Sequence, residues 1–383
     1  MKQKLFPLFA FVAIMISFAA CNNGGNSNEP EIKDFTFKVY VLNTRAHLTV
    51  TPLDNKKLYY WSYVTADELN GQTLQKYAEN FCSTYPGYIT SMGEEKKDLI
   101  FDDSYTKYIL WACNVEVLEN GHLKIIGDIV SQEITSKGLH LLENVFSFGP
   151  NKPALFSNCN YINGEYDDYE QWKYYGKTSS TGDWWDSQDL FTWTEMAQAS
   201  GNLGFSVPKA EDWLYLFKER DHADERFTLA TIHVDGYYWM DEQDIHGLII
   251  LPDDWQTPDN VTLKTAKDLG LVWNEANNAY EAASSFDGYA ENVFNNTTEW
   301  WALEEAGAVF LPAAGANAGS VNSSGFYWSS SESEDDNTKA YGFMFNKYRL
   351  SLDRLIFPLD KTQYSYSVRP VAFTANSISY DIK

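Results

Sequence analysis

The chain has 383 residues, and its 53 Asp and Glu outnumber its 29 Lys and Arg to give a formal charge of −24. Nucleic acid is excluded as a partner, because contacts to phosphates depend on clustered Lys and Arg, which an acidic surface lacks. Aromatic residues reach 16% and charged residues only 21%, a composition that excludes a disordered chain. The length predicts two folded domains.

The first 31 residues predict export and attachment to a membrane. Residues 1–20 have a basic start and an apolar run, the pattern of a secretory signal peptide, and the run is shorter than the ~20 residues that cross a membrane. It ends at Ser-Phe-Ala-Ala-Cys21, which resembles a bacterial lipobox and implies a lipid on Cys21. Residues 21–31 are rich in Gly, Asn and Ser and predict a flexible tether. We therefore expect an outer-membrane lipoprotein at the cell surface, with an orientation toward the periplasm as the alternative.

The remaining cysteines do not define a disulfide framework. Cys82, Cys113 and Cys159 are left after Cys21 is acylated, and their number is odd. A disulfide between Cys82 and Cys113 and three buried free thiols are both compatible with the sequence. The sequence has no Cys-x-x-Cys motif and no closely spaced His pair, so it contains no zinc motif.

Residues 32–143 predict a β-sandwich. Residues 34–42 alternate apolar and polar side chains, the pattern of a half-buried strand. Apolar residues recur at helical spacing over residues 74–81, so a helix interrupts the strands. Asn120-Gly121 lies between two apolar runs and predicts a hairpin with a type I′ turn. We expect an immunoglobulin-like or fibronectin-like sandwich with a helical insertion, which acts as a spacer without chemistry.

Residues 144–383 predict a second domain, in which aromatic side chains and carboxylates are interleaved. The density is highest in residues 161–195, which include Trp184 and Trp185. Exposed aromatic faces beside carboxylates suit sugar rings, because CH groups stack on the ring while carboxylates accept hydrogen bonds from hydroxyls. The alternative is a Trp-rich core wrapped by acidic loops.

A series of blocks in the second domain carries a family resemblance. Val-Pro-Lys-Ala-Glu-Asp-Trp at 207–213 is similar to a motif of the formylglycine-generating-enzyme superfamily. A closer resemblance is to the Fibrobacter major paralogous domain family, as found in lipoproteins of Bacteroidota. The matching blocks lie at residues 146–150, 189–193, 213–217, 247–255, 307–315, 325–330 and 366–371. The two longest read Gly-Leu-Ile-Ile-Leu-Pro-Asp-Asp-Trp and Gly-Ala-Val-Phe-Leu-Pro-Ala-Ala-Gly. The resemblance implies a C-type-lectin-like fold for residues 144–383 and an α+β class for the chain.

The resemblance also bears on catalysis. Formylglycine-generating enzymes use a pair of cysteines that bind copper, and residues 160–383 contain no cysteine. The related iron-dependent sulfoxide synthases need a histidine cluster, and His222, His233 and His246 lack its spacing. We therefore expect a protein without catalytic residues, with a divergent metal-dependent enzyme as the alternative.

Five positions in or near the blocks bear on the local structure. Thr192 stands where the family has a glycine and Lys209 where it has a capping Thr or Ser, which leaves the local loop geometry open. Asp253 and Asp254 follow a proline after an apolar strand and predict a structural turn rather than an acid/base pair. Arg369, on the last apolar strand, predicts a buried guanidinium bonded to carbonyls or a carboxylate, with a ligand clamp as the alternative.

The tract Ser-Ser-Ser-Glu-Ser-Glu-Asp-Asp-Asn at 329–337 is the best candidate site. The corresponding loop of lectin-like folds often binds Ca²⁺ or ligand, and the hard oxygen donors suited to calcium here are Glu332, Glu334, Asp335 and Asp336. Their spacing matches no EF-hand, and a solvated acidic loop is the alternative. The predicted ligand-binding face comprises Trp184, Trp185, Trp328, Asp335, Asp336 and Asn337. Apart from calcium, no cofactor is expected.

The sequence thus predicts a non-catalytic, adhesin-like lipoprotein whose lectin-like domain binds a glycan or a surface protein. A pilus tip or assembly subunit is an alternative, because a sandwich followed by an adhesive domain is a common arrangement at pilus tips.

Overall fold

The structure, a computed structural model, describes most of the chain after residue 32. The described residues are 33–41, 45–84, 90–101, 105–136, 141–157, 160, 190–203, 206–234, 243–259, 261–316 and 320–373. The predicted signal peptide and tether lie outside them, and so do Cys21, Cys159, Trp184 and Trp185. No helix in the described residues is long and apolar enough to cross a membrane.

Six antiparallel strands form the first part of the fold. One sheet has the order β1-β2-β4, with β1 at Phe35–Val41, β2 at Arg45–Pro52 and β4 at Glu95–Ile100. The other has the order β3-β5-β6, with β3 at Tyr59–Thr65, β5 at Lys107–Val117 and β6 at Leu123–Thr135. Side chains from both sheets meet in one apolar cluster, which includes Phe35, Leu48, Val50, Leu110 and Ala112. The alternation over residues 34–42 is confirmed as strand β1.

Two helices interrupt these strands. The first, α1, spans Ala66–Leu69, and the second, α2, spans Leu74–Thr84. Ala78 and Cys82 lie one turn apart on the buried face of α2, which is the spacing that brings helical residues onto one side. They pack on the face of the second sheet that points away from the shared apolar cluster. The helix predicted from the period of residues 74–81 is confirmed.

The hairpin between β5 and β6 is confirmed, but the predicted turn type is wrong. A type I′ turn needs positive φ at both central residues, and within this turn only Gly121 has one, at +82°. The Asn120 side chain instead accepts a hydrogen bond from His122 N at 3.1 Å, and Leu118 N donates to His122 O at 2.8 Å. The asparagine therefore stabilises the turn through its side chain.

Three further sheets form the second part of the fold. The first has the order β19-β8-β7, with β7 at Leu141–Ser147, β8 at Pro153–Ser157 and β19 at Val371–Phe373. The second has the order β13-β9-β10-β14, with β9 at Phe227–Val234, β10 at Gln243–Ile250, β13 at Val293–Phe294 and β14 at Val309–Pro312. The third has the order β11-β12-β17-β16-β15. Its strands are β11 at Val272–Asn274, β12 at Ala279–Glu281, β15 at Ser324–Glu332, β16 at Lys339–Asn346 and β17 at Arg349–Ser351. Strand β18, at Leu359–Asp360, pairs with β16. The predicted domain boundary at residue 143 falls inside β7.

Short helices cover these sheets. They are α3 at Trp193–Leu203, α4 at Ala210–Leu214 and α5 at Thr297–Glu305. Helix α4 continues as a π turn over Tyr215–Glu219, and single 3₁₀ turns lie at Ala223–Glu225, Gly288–Ala290 and Asp353–Leu355. Strands that pair mainly in antiparallel fashion, with helices packed at their faces, confirm the α+β class.

Two glycines of the sequence blocks let large rings pack against the backbone. Gly325 on β15 lies opposite Phe345 on β16, and a Cβ added at Gly325 would sit 2.2 Å from the Phe345 ring. A Cβ added at Gly247 on β10 would sit 2.3 Å from the Phe310 ring. Both distances are far below van der Waals contact, so only glycine, which has no side chain, fits at these two positions.

A polar and aromatic contact joins the first sheet to α5. His47 on β2 is buried and stacks on Trp301 at a centroid distance of 4.2 Å. Its imidazole nitrogens lie 3.2 Å from Glu304 Oε2 and 3.5 Å from Glu305 Oε1. Lys38 Nζ on β1 lies 3.0 Å from Glu305 Oε2. Consistent with this contact, residues Asp34–Lys383 group together as one unit.

Candidate functional site

The predicted acidic loop connects β15 to β16. Its ends are held by backbone hydrogen bonds, from Ser333 N to Lys339 O and from Lys339 N to Asp336 O, each 3.0 Å long. Glu334, Asp335 and Asn337 are exposed. The loop is therefore a short closed turn that presents polar side chains to solvent.

Two of its carboxylates already have protein partners. Asp336 Oδ1 accepts hydrogen bonds from Thr338 N at 3.0 Å and Thr338 Oγ1 at 2.6 Å, and Asp336 Oδ2 lies 3.1 Å from Lys339 Nζ. The hydrogen bond from the Thr338 hydroxyl is the largest cause that lowers the pKa of Asp336, to about 2. Glu332 Oε2 lies 2.7 Å from Lys361 Nζ. Asp336 and Glu332 thus serve as partners for nearby donors.

Within its described residues, the structure contains no preformed metal-binding group that includes the four carboxylates proposed for calcium. Among the residues that the structure describes, no group of three or more His, Cys, Asp or Glu is placed to hold a metal ion. The calcium assignment of Glu332, Glu334, Asp335 and Asp336 stays a prediction.

Trp328 lies in the core and not on a binding surface, which corrects its assignment to the ligand-binding face. The side chain is 0% exposed, its Nε1 donates to Phe191 O at 2.6 Å, and its ring centroid is 4.5 Å from that of Tyr366. The physical reason is that both faces of β15 are covered, since Tyr327 packs into one apolar cluster and Trp328 into another. An enclosed indole offers no face to a sugar.

Two aromatic side chains that the sequence analysis missed lie exposed in this region. Tyr364 is 41% exposed and its ring centroid lies 6.1 Å from that of the buried Tyr366. Phe357 is 58% exposed, and its backbone N donates to Asp353 O at 2.8 Å. Residues two positions apart in a strand share a face, so the Tyr364-Ser-Tyr366 pattern does not indicate that one ring is exposed and the other buried.

The strand pairing places the segment that leads to Tyr364 beside the end of the acidic loop. Asp360 on β18 lies opposite Lys339, which follows the loop, and Lys361 N donates to Thr338 O at 2.9 Å. Asp360 Oδ1 accepts hydrogen bonds from the backbone of Thr362, at 2.8 Å, and so closes the turn that leads to Tyr364. The region thus combines an exposed aromatic ring with several carboxylates.

The departures at Thr192 and Lys209 are compensated locally. The Thr192 Oγ1 accepts a hydrogen bond from Glu195 N at 3.4 Å, and Thr192 N donates to Glu195 Oε2 at 2.8 Å, so the two residues form a capping box at the start of α3. Lys209 provides no capping hydroxyl, and the Ser331 Oγ accepts the Ala210 N–H at 3.0 Å in its place. A residue from the edge of the acidic loop therefore caps α4.

Arg369 has the predicted buried guanidinium but precedes β19, whereas the Asp253 side chain contacts other side chains and not the turn backbone. Arg369 is buried and its guanidinium donates to Ser157 O at 3.2 Å and to Phe310 O. Asp253 Oδ1 lies 3.2 Å from Nη1 of the buried Arg220, and its Oδ2 accepts a hydrogen bond from Ser147 at 2.5 Å. Burial lowers the pKa of Arg220 to about 10, while the Asp253 carboxylate opposes this shift.

The histidines of the second part have separate partners. His233 Nδ1 lies 2.9 Å from Asp244 Oδ1, and His246 Nδ1 lies 2.7 Å from Asn322 O. His222 Nδ1 lies 3.6 Å from Glu225. In the described ranges these side chains belong to no group suited to a metal ion.

Comparison of the chain with protein-family models, with curated proteins and with solved structures found no match. The resemblance to the Fibrobacter major paralogous domain family therefore rests on the sequence blocks alone.

Proposed function

We propose that this protein is a membrane-anchored, non-catalytic lipoprotein of the outer membrane whose second domain binds a glycan at the cell surface. In this proposal residues 32–143 are an immunoglobulin-like or fibronectin-like spacer and residues 144–383 are a C-type-lectin-like domain. The lipobox at Cys21 supports the anchor. The two sheets that share one apolar cluster support the spacer, and the sequence blocks support the lectin-like assignment.

The observation that carries the glycan proposal is the exposed ring of Tyr364, which follows a segment paired with the end of the acidic loop. A sugar presents CH groups to an aromatic face and hydroxyls to carboxylates, and this region supplies both kinds of partner. The exposed carboxylate of Asp335 is available for hydroxyls, whereas Asp336 is held by Thr338 and Lys339. Trp184 and Trp185, which lie outside the described residues, belong to the same proposed surface.

A glycan panel measured with the full-length protein tests this proposal. Replacing Tyr364 by Ala removes the ring and is expected to weaken binding about tenfold, which corresponds to ~1.4 kcal/mol. Tyr364→Phe keeps the ring and is expected to retain most of the affinity. The matched control is Leu53→Ala, because Leu53 is also exposed but lies in the first part of the fold.

Three outcomes would count against the glycan proposal. The first is a wild-type protein that binds no glycan of the panel, the second is equal binding by Tyr364→Ala and wild type, and the third is capture of a surface protein through this region instead. Substituting Trp184 and Trp185 by Ala without loss of binding would remove those two residues from the site.

The anchor is tested separately from the ligand. The Cys21→Ser variant is expected to lose its lipid and to leave the membrane fraction, because several acyl chains hold a lipoprotein to the bilayer. Protease treatment of intact cells then distinguishes the surface from the periplasmic orientation. A Cys21→Ser variant that stays in the membrane fraction would contradict the anchor.

A further inference from the structure

Two buried cysteines face each other across the contact between α2 and the second sheet. Cys82 on α2 is 1% exposed and Cys113 on β5 is 0% exposed. Both belong to the same apolar cluster, which also includes Tyr60 and Trp111. The thiols of both residues are free in the structure.

The sequence pattern of each element brings the two thiols together. Cys82 follows Ala78 by one helical turn and so lies on the buried side of α2. Cys113 shares a sheet face with Trp111 and Val115, because alternate residues of a strand point the same way. The pairing of β5 with β6 shifts register between Ala112 and Asn114, so Cys113 sits at a β-bulge, a feature that re-aims side chains.

The two thiols influence each other's ionisation. The interaction with Cys113 lowers the pKa of Cys82, whereas the interaction with Cys82, together with burial, raises the pKa of Cys113. The thiolate is the attacking form of cysteine, so Cys82 is the favoured first nucleophile of the pair.

We propose that Cys82 and Cys113 form a disulfide that ties α2 to β5 when the chain meets a disulfide oxidant. The Cys82 thiolate attacks one sulfur of the oxidant, which forms a mixed disulfide and releases the first thiol of the oxidant. Cys113, after losing its proton, attacks the Cys82 sulfur and releases the second thiol. The pair loses two electrons and two protons, and the oxidant disulfide gains both.

Burial determines when this reaction takes place. An oxidant cannot reach thiols that are 0–1% exposed, so oxidation of the folded protein must wait until α2 opens away from the sheet. The pair is accessible before α2 packs, so oxidation during folding is the fast route. The bond closes a loop of about 30 residues and thereby restricts the unfolded chain.

The test uses the full-length protein, reduced, unfolded and then refolded with or without oxidised glutathione. Free thiols are alkylated after unfolding, and peptides are mapped by mass spectrometry. We expect a linked peptide that contains Cys82 and Cys113 in the oxidised sample, and a melting temperature about 5 °C higher that dithiothreitol reverses. The rise is expected to persist in Cys159→Ser and to vanish in Cys82→Ser.

Two results would overturn the proposal. One is full alkylation of both cysteines after oxidative refolding of wild-type protein that regains its native circular dichroism. The other is a linked peptide that joins Cys159 or Cys21 to either of them. Both results come from the wild-type chain and do not depend on the folding of a variant. Neither depends on the ligand of the second domain.

Discussion

Replacing Gly325 by Ala tests whether the glycines of the sequence blocks are required by packing. The added Cβ would lie 2.2 Å from Cζ and 2.3 Å from Cε1 of Phe345. Phe345 is fully buried and contacts the ring of Tyr327, so it has no solvent-filled space into which to move. The substitution therefore forces one extra carbon into a core that is already filled.

The expected cost follows from this geometry. Extra methyl or methylene groups in a well-packed core lower the free energy of unfolding by ~1–3 kcal/mol. Because Phe345 has no space to move into, we expect Gly325→Ala to lower it by ~3 kcal/mol. Urea unfolding is expected to show a midpoint lower by roughly 1 M with an unchanged slope. Gly201→Ala is the matched control, because Gly201 lies in α3 with no atom near its added Cβ. Alanine there is expected to stabilise the protein by ~0.5–1 kcal/mol.

A Gly325→Ala variant that unfolds at the wild-type urea concentration would refute this reasoning. The double variant Gly325→Ala with Phe345→Leu provides a second check, because a smaller side chain relieves the overlap. We expect the double variant to be more stable than the sum of the two single changes predicts.

Three other predictions concern the region of the acidic loop. An NMR titration of Asp336 should show a pKa of about 2, and this pKa should rise in Thr338→Val. Because the pKa of Asp336 in the folded protein lies below its ordinary value, the stability that this carboxylate contributes should be lost as the pH falls from about 4 to 2. Trp328→Ala should lower the free energy of unfolding by ~3–5 kcal/mol in a urea titration, because it empties a fully buried site; a small loss would argue for a surface role. Ser331→Ala should cost ~1 kcal/mol in thermal unfolding, because the Ala210 N–H loses its acceptor, while Ser331→Thr should retain most of the stability.

Local patterns predicted the elements that depend on near neighbours in the chain. The alternation in β1 and the helical period of α2 were sufficient, because each creates a single apolar face. The buried guanidinium of Arg369 was also predictable, since an arginine within an apolar run must bond to carbonyls or a carboxylate.

Features that depend on distant contacts were not predictable. Trp328 was assigned to a surface because its strand gives no sign that a second apolar cluster covers it. The capping of Ala210 by Ser331 joins residues 121 positions apart, and the Lys38–Glu305 pair joins residues 267 positions apart. Such contacts follow from how the elements pack, and no local spacing encodes them.

The contact between the first sheet and α5 has a mechanical consequence. A load applied at Phe35 is carried by the seven residue pairs that join β1 to β2 along their whole length. It then passes to α5 through the Lys38–Glu305 ion pair and the stacked rings of His47 and Trp301. The first sheet can therefore pass tension that enters at its amino-terminal strand to α5 through these contacts.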